Sequence, residues 1–208
     1  MHAHGSRHGA RTQELRRRIA LEAARLMSEH GIRDFHLAKR KAAERLGASD
    51  DVALPKNSEI EDALREHQRL FQGDEQPQLL RRRREVAREA MRFFAHFEPR
   101  LVGAVLEGTA DKYSAVCLHL FSDAPEDVAT YLQEQGVPYE EQARRLRFGH
   151  ATQEEFPVLL FSADDVAVDL TVFPRDAIRQ APLDRVDERP MRRANLAAVD
   201  QLLEESKK

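Results

Sequence analysis

Tryptophan is absent from this 208-residue chain, and there are only three tyrosines. That excludes the row of aromatic platforms on which single-strand nucleic-acid binders stack bases. A single cysteine, Cys117, rules out an intrachain disulfide, and no Cys/His spacing suggests a zinc site. Long apolar runs are missing too. The stretch Pro157–Phe161 is far too short to span a bilayer, so no membrane partner is expected. Net charge is -3, and no global positive field draws the chain to nucleic acid. Neither a Gly-x-Ser-x-Gly elbow nor a Walker A run is present. Residues 1–12 are polar and carry His2, His4 and His8, without the apolar core of a signal peptide. They read as a disordered tail, and a cytoplasmic location is expected.

What is present suits a soluble globular protein: 41% hydrophobic and 33% charged residues. The first third is helical in pattern. Leu15, Ile19, Ala23, Leu26 and Met27 recur with a 3.6-residue period, predicting a helix over 12–30 that starts at Thr12 and stops at Gly31. Further helices are predicted over 37–46, from a cap at Ser58 to Phe71, and over 78–97. The stretch 48–57, with Pro55, reads as a loop.

From Arg100 the apolar period shortens to two. Strands are predicted over 101–106, 115–121, 145–148, 158–161 and 166–173, with Asp164-Asp165 as a hairpin turn. One helix, about 125–135, interrupts them, and another, about 193–205, closes the chain. Helices first and strands later make an α+β chain. The expected domains are a tail (1–12), a helical domain (13–76) and a sheet domain (77–208).

The most telling segment is Gly103-Ala-Val-Leu-Glu-Gly108-Thr-Ala-Asp-Lys-Tyr-Ser114-Ala-Val-Cys-Leu-His-Leu-Phe121. An apolar strand enters two glycines five apart; a polar turn, Ser114 and a second apolar strand follow. This layout resembles the signature of the polymerase-beta-type nucleotidyltransferase superfamily. Ala38-Lys-Arg-Lys-Ala-Ala43, Leu118-His-Leu-Phe121 and Arg189-Pro-Met-Arg-Arg-Ala194 are similar to a bacterial group placed in it. The resemblance implies a mixed sheet with flanking helices behind an N-terminal helical domain.

It also implies a site. Gly103, Ala104, Gly108, Thr109 and Ser114 would stand near a nucleotide's phosphates, with Cys117 and His119 on the same strand face. Asp169, inside the apolar strand Val166–Phe173, would be the remaining catalytic acid and magnesium ligand. In the family two further carboxylates stand on alternate residues of one strand; here those positions hold Ala115 and Cys117. Ala104 replaces the family's serine. The expected function is therefore binding of a nucleotide or another phosphate-bearing ligand with weak or absent transfer, a pseudoenzyme. An RNA or protein partner would also suit it.

Three alternatives remain. The first is an active enzyme with relocated metal ligands among Asp111, Asp123, Asp165 and Asp169, and His119 as base. The second is a helical DNA-binding regulator, since Ile19–Gly31 and Lys39–Gly47 resemble the first two helices of tetracycline-repressor-type proteins. The acidic, proline-broken stretch Ser49–Pro55 would repel a phosphate backbone, so duplex DNA is the lesser expectation. A pure interaction module is the remaining reading. The arginines of 81–84, with Arg88 and Arg92, form a basic flank that could meet phosphates. Arg144, Arg145, Arg147, Arg192 and Arg193 would add to it if the fold brought them near the glycine turn.

Overall fold

The computed structural model describes residues 4–48, 54–71, 75–149 and 153–206. The chain divides into two compact units, Met1–Gly73 with Arg185–Asp187, and Asp74–Asp184 with Glu188–Lys208.

The first unit is built from α1 (His4–His30), α2 (Phe35–Arg45) and α3 (Asn57–Phe71). α1 packs against both others through Ile19, Ala23, Ala24, Leu26 and Met27, which meet Ala38, Ala42, Ile60 and Leu64. Asp34 caps α2 by accepting the Leu37 N–H at 2.6 Å. α1 begins at His4 rather than Thr12, which corrects the tail expected over 1–12 for residues 4–12. No proline interrupts 4–12, and Gly5 and Gly9 each cost only about 1 kcal/mol against alanine. Residues 1–3, and most of the stretch 49–55, lie outside the described residues.

The second unit is α+β. It contains α4 (Glu75–Phe93), α5 (Ala104–Glu107), α6 (Glu126–Glu134) and α7 (Leu196–Glu205). Its strands are β1 (Arg100–Val102), β2 (Val116–Phe121), β3 (Glu140–Arg147), β4 (Gln153–Ala163) and β5 (Val166–Phe173). They form one mixed sheet in the order β1-β2-β5-β4-β3. β1 runs antiparallel to β2, β2 parallel to β5, and β5–β4–β3 is an antiparallel meander. Asp164 and Asp165 both take positive φ (47° and 64°), as a two-residue hairpin turn requires.

One sheet face is the core. Val116, Leu118, Leu120, Val168, Leu170 and Val172 share a buried cluster with Val86 and Met91 of α4, Phe94 just after it, Val128 and Leu132 of α6, and Val199 and Leu203 of α7. Each such buried side chain stabilises by roughly 1.5–3 kcal/mol. Among the described residues no helix is long and apolar enough to cross a membrane.

The strand expected over 101–106 is shorter. It ends at Val102, and Ala104–Glu107 is a helical turn. Gly103 causes the break: φ 70°, ψ -156° is a conformation essentially reserved for glycine. Gly108, at φ 83°, closes the turn.

Candidate functional site

The sheet face opposite the core is where the polar residues gather. Period two puts Cys117, His119 and Phe121 of β2 on that face. The register then sets Cys117 beside Asp169, His119 beside Thr171, and Phe121 beside Phe173 of β5. Val102 and Arg100 of β1 lie across from Cys117 and His119. A Cβ built on Gly103 would stand 4.0 Å from that of Cys117. The bend, the thiol and the acid of residue 169 thus occupy one end of the same face.

Asp169 does not stand alone. Arg144, two strands away on β3, donates from Nη1 to Oδ1 at 3.0 Å and from Nη2 to Oδ2 at 2.6 Å. Nη1 also reaches the Thr171 hydroxyl at 3.2 Å. This is a bidentate, charge-assisted pair with Asp169 buried. It raises the Arg144 pKa, first through the hydrogen bonds that Asp169 accepts, against the opposing effect of burial, and then through the Asp169 charge.

His119 is 4% exposed. Its Nδ1 accepts from Arg193 Nε at 3.0 Å, so the neutral ring carries its proton on Nε2. Burial pushes its pKa down to about 3, with Arg193 and then Arg144 adding repulsion. A ring held neutral in this way is a donor at Nε2 throughout the physiological range.

Arg193 arrives from the segment before α7. Ala194 pairs with Leu101 through two backbone hydrogen bonds (2.8 and 2.9 Å), which closes the outer side of β1 and carries Arg193 to His119. Its Nη1 donates to the carbonyls of Ala177 and Ile178 at 2.8 and 3.3 Å. Its guanidinium lies 5.1 Å from the Phe121 ring and 5.2 Å from that of Phe173. No carboxylate is among these partners, and its Nη2 is buried without a hydrogen-bond partner. Desolvation, then repulsion from Arg100, draws the Arg193 pKa down to about 10. Arg100 itself donates to the carbonyls of Glu98 and Pro99, with the Glu98 carboxylate 4.0 Å away.

Other expected site residues are turned elsewhere. Ser114 is buried, and its hydroxyl donates to Asp111 Oδ1 at 3.1 Å and accepts from the Asp111 N–H at 2.9 Å. The same carboxylate oxygen accepts the Tyr113 N–H at 2.9 Å. Ser114 therefore shapes its own loop rather than offering a hydroxyl to a ligand. Thr109 is likewise buried, with its N–H on the Ala104 carbonyl at 3.0 Å. Gly108 lies near Arg84 and Leu80 of α4, away from Cys117. Ala104 opens the α5 turn and offers only a methyl.

The relocated-ligand candidates do not converge. Asp111 is in the loop before β2. Asp123 follows β2 and accepts the Arg175 N–H at 3.0 Å. Asp165 is exposed in the β4–β5 turn. Among the described residues no three His, Cys, Asp or Glu side chains form a group that could hold a metal ion. The donors beside Asp169 do not suit magnesium, which takes hard oxygen ligands. Both Asp169 oxygens face a guanidinium, Cys117 is soft, and His119 Nδ1 already accepts from Arg193.

The basic flank of α4 is spent internally. Arg83 donates to the carbonyls of Ser114 and Lys112 at 2.7 and 2.8 Å. Arg84 donates to the Val105 carbonyl and the Ser206 hydroxyl, both at 3.3 Å. Arg81 pairs with Glu85, Arg82 with Asp164, and Arg88 and Arg92 with Glu89. Two of the flank's arginines thus anchor the glycine loop instead of facing solvent. Of the later arginines, Arg145 pairs with Glu155, Arg147 with Glu188 and Arg192 with Glu107; only Arg144 and Arg193 reach the polar face. In the helical unit, α3 carries four acids (Glu59, Glu61, Asp62, Glu66) against two arginines. Glu59 is paired with Arg16. That balance disfavours a phosphate backbone.

No family model matches this chain, and no curated protein matches it.

Proposed function

We propose that the chain binds a phosphate-bearing ligand of the nucleotide class on the polar sheet face beside Gly103, and that it carries out little or no nucleotidyl transfer. The observation that carries this reading is Arg193. It is a half-buried cation whose hydrogen-bond partners are an imidazole and carbonyls, with one buried Nη2 left without an acceptor. A buried charge lacking a counter-charge is costly. A phosphate oxygen at the open side of the guanidinium would supply the missing counter-charge. His119 Nε2, Arg144 and Arg100 share the neighbourhood, and their donors suit the same anion.

The glycine frame of the sequence supports the same reading, because its resemblance is to proteins that handle nucleoside triphosphates. The expectation of feeble transfer rests on Ala115 and Cys117. Metal assistance supplies several kcal/mol of transition-state stabilisation, and its loss would remove on the order of a thousandfold in rate.

Calorimetric titration of the full chain with ATP and with inorganic tripolyphosphate tests the binding. Saturable binding, weakened about tenfold or more in Arg193→Gln, is expected. Absence of binding to either compound defeats the reading. Labelled-nucleotide incorporation abolished by Asp169→Ala would instead establish an active transferase.

A further inference from the structure

We infer that the Arg144 guanidinium takes the place beside Asp169 that a divalent cation would hold, so that the face engages phosphate oxygens without a metal. The inference rests on the phosphate reading above and specifies how that site works.

A metal site presents carboxylate lone pairs to the ion. Here both oxygens of Asp169 accept from one guanidinium, at 3.0 and 2.6 Å. The next residue in the row, Cys117, offers only sulfur, a soft ligand that suits magnesium poorly. A dication arriving at Asp169 would have to displace the Arg144 guanidinium or sit beside it, and the repulsion is large at such separations.

The guanidinium can do what the ion would do for a ligand. It has five N–H donors in a planar fork. Two go to Asp169 and one to Thr171, which leaves Nε–H and one Nη2–H. The Arg144 side chain is 32% exposed, so those donors remain open to a ligand. Asp169 and Thr171 aim the fork, and the fixed fork matches the paired oxygens of a phosphate. In this arrangement Asp169 is a positioning residue that also offsets part of the positive charge.

Metal and guanidinium make opposite predictions for Asp169→Asn. If a metal held the phosphates, removing the carboxylate charge would weaken binding. With Arg144 in that role, the same change removes a competing anion, and tripolyphosphate should bind several-fold tighter in EDTA. Calorimetry of the full-length wild type, Asp169→Asn and Arg144→Gln with tripolyphosphate, in EDTA and in magnesium, provides the measurement. Thermal melts confirm that each variant is folded.

The expected result is binding that persists in EDTA, tightens in Asp169→Asn and weakens at least about tenfold in Arg144→Gln. Water-proton relaxation should show no saturable manganese site on the wild type. Binding that needs magnesium, or a manganese site lost in Asp169→Asn, overturns the inference and leaves phosphate binding standing. Failure of tripolyphosphate to bind in either buffer overturns both.

Discussion

Arg144 reaches from β3, past β4, to hold the Asp169 carboxylate of β5 with both of its terminal nitrogens. The pair ties the edge of the sheet to its centre on the side away from the helical core. It also decides what the acid can do, because a carboxylate that accepts two charged hydrogen bonds has little capacity left for a metal.

The stability of this pair should be asymmetric. Asp169→Ala leaves a half-buried guanidinium without its partner and should cost about 2–3 kcal/mol, given that Arg144 retains some contact with water. Replacing both, as Arg144→Met with Asp169→Leu, should recover most of that loss, since apolar side chains of similar size need no counter-charge. Urea unfolding of the two single variants and the double variant measures the coupling. Additive losses would mean that the pair contributes nothing as a unit.

His119 should make the fold sensitive to acid. Its ordinary pKa of 6.5 falls to about 3 in the folded state, through burial and then the Arg193 and Arg144 charges. Above pH 6.5 both folded and unfolded chains carry a neutral ring. Between 6.5 and about 3 the unfolded chain takes up a proton that the folded chain refuses, so stability falls as pH drops. The slope from this group approaches about 1.4 kcal/mol per pH unit. His119→Asn keeps an acceptor for Arg193 Nε and removes the titration. Denaturant unfolding from pH 7 to 4.5 should be flatter in that variant by about one proton; an unchanged slope would place the titration elsewhere.

Gly103→Ala should destabilise the sheet unit by about 1–3 kcal/mol, the usual range for a residue forced into a sparsely populated conformation. The cost comes from φ 70°, ψ -156°, because an added Cβ would meet Cys117 only at 4.0 Å. Gly108→Ala, at φ 83° and ψ 9°, should cost less, since the left-handed helical region is open to other residues. Thermal melts of the two variants rank them. Equal losses would contradict the conformational argument.

Much of the fold was legible along the chain. Alternation of Val116, Leu118 and Leu120, and of Val168, Leu170 and Val172, identified β2, β5 and the face each buries. Gly31, Pro55 and the Asp164-Asp165 turn marked boundaries through local backbone preferences, whereas Ser58, expected as a cap, lies inside α3, which begins at Asn57. β1 was overextended because apolar Val105 and Leu106 suit a short helical turn as well as a strand, and only the Gly103 backbone distinguishes the two. Missing functional residues had a weaker signal. Thr171 could have been placed by period two from Asp169. Arg100 had no motif to mark it.

Local chemistry in the chain thus settled most of the segments that become helix or strand, which faces of β2 and β5 are apolar, and that the positions at Ala115 and Cys117 lack acids. Those properties depend on residues close in sequence. The parallel pairing that sets Asp169 beside Cys117, the passage of Arg144 past β4, and the delivery of Arg193 through the Ala194–Leu101 bridge belong to the tertiary structure. Each joins residues from 25 to 93 positions apart, and no local periodicity encodes which distant arginine will meet a given acid. For the same reason Arg83 and Arg84, which read as part of a solvent-facing basic flank, turn inward to the carbonyls that the glycine loop cannot satisfy for itself.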